Sequence, residues 1–134
     1  MCTAVRCIVV RAHDGPIVFI SSVTDRDAVI LSHTNSMYDA RVHEHLEIRG
    51  DVMVLADVKT ESHGVREYYG IADGIPHREW SALRVFSTVD RAFSLTVRGV
   101  NVNAFQELKD THFSIAIKRM PRLRLALLKL HLFV

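Results

Sequence analysis

Three stretches of this 134-residue chain place reactive side chains at spacings that chemistry could use. His43-Glu44-His45 puts two imidazoles on one side of a strand, as a zinc site would need, but no cysteine or acid stands at a diagnostic spacing to complete the ligand set. His112-Phe113-Ser114 has the His-x-Ser form that supplies acid, base and phosphate donors in half of a two-histidine phosphoesterase. The second half is missing, because His33-Thr34-Asn35 and His43-Glu44-His45 both break the pattern. Cys2 would become an N-terminal thiol nucleophile, with its own α-amine as base, once Met1 is removed. Nothing later in the chain completes that machinery. Gly64, Gly70 and Gly74 fit turns better than a phosphate-cradling loop. The reading is therefore a non-catalytic protein with no cofactor and no metal; the alternatives are a small phosphoesterase around His112 and Ser114, or a protein- or membrane-surface interaction module using the C-terminal leucines.

A different chemistry is suggested by Arg91 to Phe105, RAFSLTVRGVNVNAF. Phe93, Leu95 and Val97 alternate with Ser94, Thr96 and Arg98, and Arg98-Gly99 then shifts the phase so that Val100 and Val102 oppose Asn101 and Asn103. Such a strand has one apolar face and one face of hydroxyls, amides and a guanidinium. That polar face either binds hydrogen-bonding partners or is simply the water-covered side of an antiparallel sheet.

The surrounding elements must position these groups. The stretch AVRCIVVRAHDGPIVFISSV reads as two β-rich runs joined by a turn at His13-Asp14-Gly15-Pro16, and DAVILSH offers a third strand. Residues 34–50 show no clear pattern, whereas 51–59 has the composition of a buried strand. A short helix fits between it and Pro76. Trp80, Leu83, Phe86 and Val89, spaced by three, predict an amphipathic helix over 76–89 with Pro76 at its first position. After the 93–103 strand unit, Asn103 is set to cap a helix with Phe105, Leu108, His112 and Ile115 facing inward, ended by Pro121. The last stretch reads as helix, with Leu123, Leu127, Leu130 and Val134 forming a stripe. That stripe, beside Arg122, Arg124 and Lys129, would serve as core, as a dimer seam or as a membrane-surface contact.

Composition sets the remaining bounds. With 49% hydrophobic and 24% charged residues the chain can bury one core, which predicts a single domain. Net charge is only +2, but 13 arginines against 4 lysines favour planar, multi-donor contacts with carboxylate or phosphate. Cys2 and Cys7 are too few for a disulfide framework, so a reducing, cytoplasmic setting is expected. No apolar run is long enough to span a bilayer, and no integral membrane insertion is expected.

From Val52 onward, the order of strand, short helix, amphipathic helix REWSALRVFS, strand unit AFSLTVRGVNVN and terminal helices resembles the RNA-silencing suppressors of tombusviruses, the nineteen-kilodalton proteins, and the smaller fourteen-kilodalton suppressors of aureusviruses. Its most specific part is aromatic-Ser-aliphatic-x-x-Arg-Gly-Val, filled here by Phe93, Ser94, Leu95, Arg98, Gly99 and Val100. The resemblance implies an α+β fold, a small mixed antiparallel sheet with helices packed on one face. It divides the domain into a β-rich part, 1–50, and a suppressor-like core, 51–134. It further implies a viral homodimer in the host cytoplasm that sequesters short double-stranded RNA. The RNA contacts would come from Lys59, Ser94, Thr96, Arg98, Asn101 and Asn103. A-form RNA is held mainly through its backbone, which suits such short polar side chains. Two departures stand out. The 52–60 strand carries Leu55 and Asp57 where the family is more basic, and Trp80 is the only tryptophan where the larger members stack tryptophans on duplex ends, leaving Tyr38 as the nearest end-stacking candidate.

Overall fold

A period of two dominates the chain, and period-two segments pair into sheets. The structure, a computed structural model, describes residues 4–70, 74–75 and 77–132. Its strands are β1 (Ala4–Ala12), β2 (Ile17–Ser22), β3 (Ala28–Asn35), β4 (Ala40–Arg49), β5 (Val52–Thr60), β6 (Glu79–Trp80), β7 (Ala82–Ser87), β8 (Ser94–Val97), β9 (Val100–Asn101) and β10 (Thr111–Pro121). Three helices accompany them: α1 (His63–Tyr69), α2 (Ala104–Glu107) and α3 (Arg122–Leu132). Strands β2-β1-β10-β7 make a four-stranded sheet and β6-β5-β4-β3-β8-β9 a six-stranded one, with every pairing antiparallel. One small domain results.

The two sheets share a core. Ile8, Val10, Phe113, Ile115 and Ile117 from the four-stranded sheet join Val29, Leu31, Leu46, Leu95 and Val97 from the six-stranded sheet in one buried cluster. Phe105 on α2 stacks on Phe113 with ring centroids 4.0 Å apart, which ties that short helix to the core. Helix α1 starts where the Ser62 hydroxyl accepts from the Val65 amide and stops at Gly70, whose φ of 68° closes a left-handed cap. It buries Val65 and Tyr69, one turn apart.

The structure departs from the α+β reading in two places and is mostly β. The segment expected as a helix over 76–89 is β6 and β7, and Ser81 is the corner where the chain leaves the six-stranded sheet for the other. Leu83, Val85 and Ser87 turn inward while Ala82, Arg84 and Phe86 turn out. A spacing of three between Leu83 and Phe86 looked helical, but Phe86 and Val89 are both exposed. Pro76 lies outside the described residues. The helix expected to run from Asn103 to Pro121 shrinks to α2, and most of its length is β10. Thr111, Phe113, Ile115 and Ile117 are buried in strict alternation with His112, Ser114, Ala116 and Lys118. Three β-branched residues in that inner row favour a strand paired on both sides. Asn103 makes no side-chain cap.

Other expectations hold. The β1–β2 hairpin, the strands at 28–35 and 52–60, the short α1 and the C-terminal helix all form. Residues 40–49, left open by the sequence, supply β4 at the middle of the larger sheet. Val97 pairs with Val100 across Arg98 (φ 51°) and Gly99 (φ 79°), a two-residue turn with both central residues left-handed.

Helix α3 turns an unexpected face inward. Leu125, Leu128 and Leu132 pack with Cys7, Val9, Ile20 and Met120 on the outer side of the four-stranded sheet, whereas Leu123, Leu127 and Leu130 are 69, 58 and 64% exposed. Val134 lies outside the described residues. Leu125→Ala should therefore cost about 2–3 kcal/mol of stability, and Leu127→Ala less than about 0.5 kcal/mol, in urea unfolding at protein concentrations low enough to keep any dimer dissociated. Equal losses would contradict this packing of α3.

Candidate nucleic-acid interface

Strand pairing places the expected RNA contacts on the six-stranded sheet, and only some of them together. Lys59 pairs with His43, His43 with Ser32, and Ser32 with Ser94, so one row crosses four strands. Asp57, His45, Ile30, Thr96 and Asn101 form the next row. Lys59, Ser94, Thr96 and Asn101 thus share one face. The Ser32 hydroxyl lies 2.6 Å from His43 Nδ1, and the Arg41 guanidinium donates to Ser94 Oγ at 3.1 Å, so part of the face is internally bonded. Arg98 does not extend the row. It sits in the turn, donating to the Ser22 carbonyl at 3.2 Å with its Nε 3.5 Å from Asp27. The Asn101 amide donates to Asn103 at 2.8 Å and to Gln106 at 3.1 Å. Tyr38 is 44% exposed in the β3–β4 turn, and its ring covers Gly64 so closely that a methyl group there would collide with it.

Charge on this face is balanced. The depression beside the row is lined by Arg41, Lys59 and Arg66 against Asp39, Asp57 and Glu61.

The outer face of the four-stranded sheet is not balanced. Register sets Arg11 opposite Ser114 and Ser114 opposite Arg84, so a hydroxyl lies between two guanidinium-bearing strands. In the next row Val9, Ala116 and Ala82 make a floor of small side chains. Toward the other end, His112 pairs with Phe86 and stacks on its ring at 4.3 Å, and the His13 ring lies 6.4 Å away. Helix α3 walls the floor on one side and adds Arg124. The resulting groove, about 560 Å³, is lined by five cations, Arg11, Arg84, Lys118, Arg119 and Arg124, against one carboxylate, Asp14. Asp14, in the β1–β2 turn, pairs with Arg84, and Asp51 pairs with Arg119 at 2.8 Å. Among the described residues Lys118 and Arg124 have no ion-pair partner.

Sequence reasoning missed this interface because it assigned 103–120 to a helix. On a helix His112 and Ser114 point apart; on β10 they share a side with Lys118. The alternation of 111–118 was the available signal.

A second group of polar residues lies between the sheets. Glu44 points inward from β4, and the Tyr69 hydroxyl donates to its Oε1 at 3.0 Å. His33 is buried, packs against Phe93 with ring centroids 5.0 Å apart and the planes tilted by 32°, and carries the one buried side-chain nitrogen or oxygen without a partner among the described residues, Nδ1. Burial, reinforced by Arg91, lowers the His33 pKa, so the imidazole is neutral at pH 7 and its 4.0 Å approach to Glu44 is not an ion pair. Burial raises the Glu44 pKa, partly opposed by the Tyr69 hydroxyl and Arg78, and burial with Glu44 raises Tyr69. His43 and His45 share the outer face of β4, while Glu44 lies on the other side. Among the described residues no group of three or more His, Cys, Asp or Glu is arranged to hold a metal ion. Cys2 lies outside the described residues; Cys7 is buried and unpaired, and burial raises its pKa. Among the described residues no helix is long and apolar enough to cross a membrane.

No family model, curated protein or solved structure matches the chain.

The buried pair links stability to pH with opposite signs. Below its ordinary value of 6.5, His33 takes up a proton in the unfolded chain that the native state refuses, so stability falls on acidification. His45, also lowered mainly by burial, acts in the same direction. Glu44 binds its proton earlier in the native state than its ordinary 4.5, so its unfavourable contribution at neutral pH is relieved as pH falls. His33→Phe should keep the ring contact with Phe93 and flatten the decline in melting temperature between pH 7 and about pH 5.5. An unchanged slope would show that His33 does not carry it.

Proposed function

We propose that the protein binds the backbone of short double-stranded RNA without turning it over, and that the outer face of the four-stranded sheet makes the main phosphate contacts. The observation that carries this reading is the groove with five cations around a floor of Ser114, Ala116, Ala82 and Val9. Small floor residues let a phosphodiester strand approach the sheet. Arginine supplies the fork geometry that phosphate oxygens accept, and Lys118 and Arg124 are free to exchange counterions for phosphate. Exposed His112 and Phe86 add a surface on which a terminal or unpaired base could stack. Sequestration of short duplexes needs nothing more than such a surface; of the likeness to viral silencing suppressors that implies it, the Phe93–Val100 motif remains, because the expected helices over 76–89 and 103–121 are largely β7 and β10.

This assignment moves the primary contact from the six-stranded sheet, where three cations meet three carboxylates, to the more basic sheet. Lys59, Ser94, Thr96 and Asn101 then provide secondary polar contacts. A homodimer joined through Leu123, Leu127 and Leu130 would present two grooves to one duplex, and two linked sites raise the effective affinity. A phosphoesterase remains the second reading, because His112 and Ser114 stand on the same strand face as Arg11 and Arg84.

Binding of a labelled short RNA duplex, a DNA duplex and single-stranded RNA should be compared at several salt concentrations. Lys118→Glu with Arg124→Glu should weaken duplex RNA binding by roughly tenfold or more and reduce the salt slope by about one unit for each phosphate that is no longer neutralised. Lys59→Ala should have a smaller effect. Arg98→Ala should cost only about 0–1 kcal/mol of stability as Asp27 is left without its guanidinium, and the salt slope should stay unchanged. A groove variant that binds RNA as wild type does would overturn the assignment, and release of product from the duplex would favour the phosphoesterase.

A further inference from the structure

The four-stranded sheet is narrower than its partner, and beyond β7 a cleft of about 320 Å³ opens between the sheets. That is the lower end of the size of small-ligand pockets, enough for one ring system and its immediate substituent. Trp80, Phe86, Phe93 and Tyr69 line it, and Glu44 supplies its one carboxylate. Arg91 stands at the wall with its guanidinium 5.6 Å from the Phe93 ring centre, and Arg78 lies 5.6 Å from the Tyr69 ring centre.

Each part narrows the ligand. Aromatic walls select a flat ring. A carboxylate can only accept hydrogen bonds, and with Tyr69 donating to Oε1, the other oxygen and the remaining lone pairs are open to further donors. Arginines around a single carboxylate repel a cationic ligand and favour one that carries negative charge elsewhere. Among the common nucleobases guanine alone sets two N–H donors side by side on its pairing edge. Adenine and cytosine place a ring acceptor beside the amino group, and uracil flanks its one N–H with carbonyls.

We propose that this cleft binds a guanine base carrying a 5′-phosphate, with Glu44 accepting from the base N1–H and N2–H, Trp80 against its rings, and Arg91 at the phosphate. Bases held by aromatic stacking and read on their pairing edge are a recurrent form of nucleotide recognition. Two N–H donors would also stabilise the carboxylate charge that burial disfavours in the free protein. The proposal uses the space between the sheets and does not depend on duplex binding at the outer groove.

Trp80 is the only tryptophan, so its fluorescence reports on this cleft directly. The full chain would be titrated with guanosine, and with GMP, IMP, AMP and CMP. GMP should quench saturably; AMP and CMP, and IMP lacking the 2-amino donor, should bind at least about tenfold more weakly. Arg91→Ala should remove the advantage of GMP over guanosine, and Glu44→Gln should bring GMP and AMP close together. Competition by single-stranded RNA with an unpaired terminal guanosine separates the two sources of the base: displacement of GMP at lower concentration identifies RNA, failure identifies the free nucleotide, and both require the pocket. Equal binding of GMP and AMP by the wild-type protein, or no saturable quenching by GMP, would overturn the proposal whatever the variants do.

Discussion

The fold depends on the two-sided character of β10. Its inner row, Thr111, Phe113, Ile115 and Ile117, enters the core, and its outer row, His112, Ser114, Ala116 and Lys118, forms the middle of the basic groove. Because β10 lies between β1 and β7, its backbone donors and acceptors are engaged on both sides, and its register fixes which residues of the two neighbours share each face. A slip by one residue would carry Phe113 to the solvent side and Ser114 into the core. Stability and the candidate interface therefore rest on one register.

Unequal sheet widths determine what else the molecule offers. Six strands cannot be covered by four, so the inner face of the larger sheet needs other cover, and α1 supplies part of it with Val65 and Tyr69. The remaining gap has aromatic walls with polar groups among them. Glu44 and His33 occupy inward positions on β4 and β3 where a purely structural core would place aliphatic side chains, and burial disfavours the charged form of both. Buried titratable groups with shifted pKa values in a cleft are a common accompaniment of a binding site.

The small net charge of +2 conceals an asymmetry. Cations gather on the outer side of the four-stranded sheet, whereas the polar face of the larger sheet balances them with acids. Long-range attraction of a polyanion follows this local distribution and not the total. The ion pairs of Arg84 with Asp14 and Arg119 with Asp51 are exposed and weak, so they hold side chains near the groove without neutralising it as a buried pair would.

Local sequence determined the elements whose signals need no distant partner. The His13–Pro16 turn, the β-branched 52–60 strand, the two-residue turn at Arg98-Gly99 and the helix-forming composition after Pro121 all act within a few residues. It also established that Ser94 and Thr96 oppose Leu95 and Val97. Tertiary structure decided the segments whose apolar spacing serves two periods. Leu83 with Phe86, and Phe105 with Leu108 and His112, fit a helix stripe, yet in 111–117 the alternation was equally strict and prevailed because β1 and β7 satisfy the backbone of β10 from both sides. Only assembly could bring Arg11, Arg84, Ser114 and Arg124 to one groove, since their spacing along the chain carries no sign that they meet. It likewise chose Leu125, Leu128 and Leu132 over Leu123, Leu127 and Leu130 as the buried side of α3, because two leucine stripes on one helix are equivalent until a sheet covers one of them.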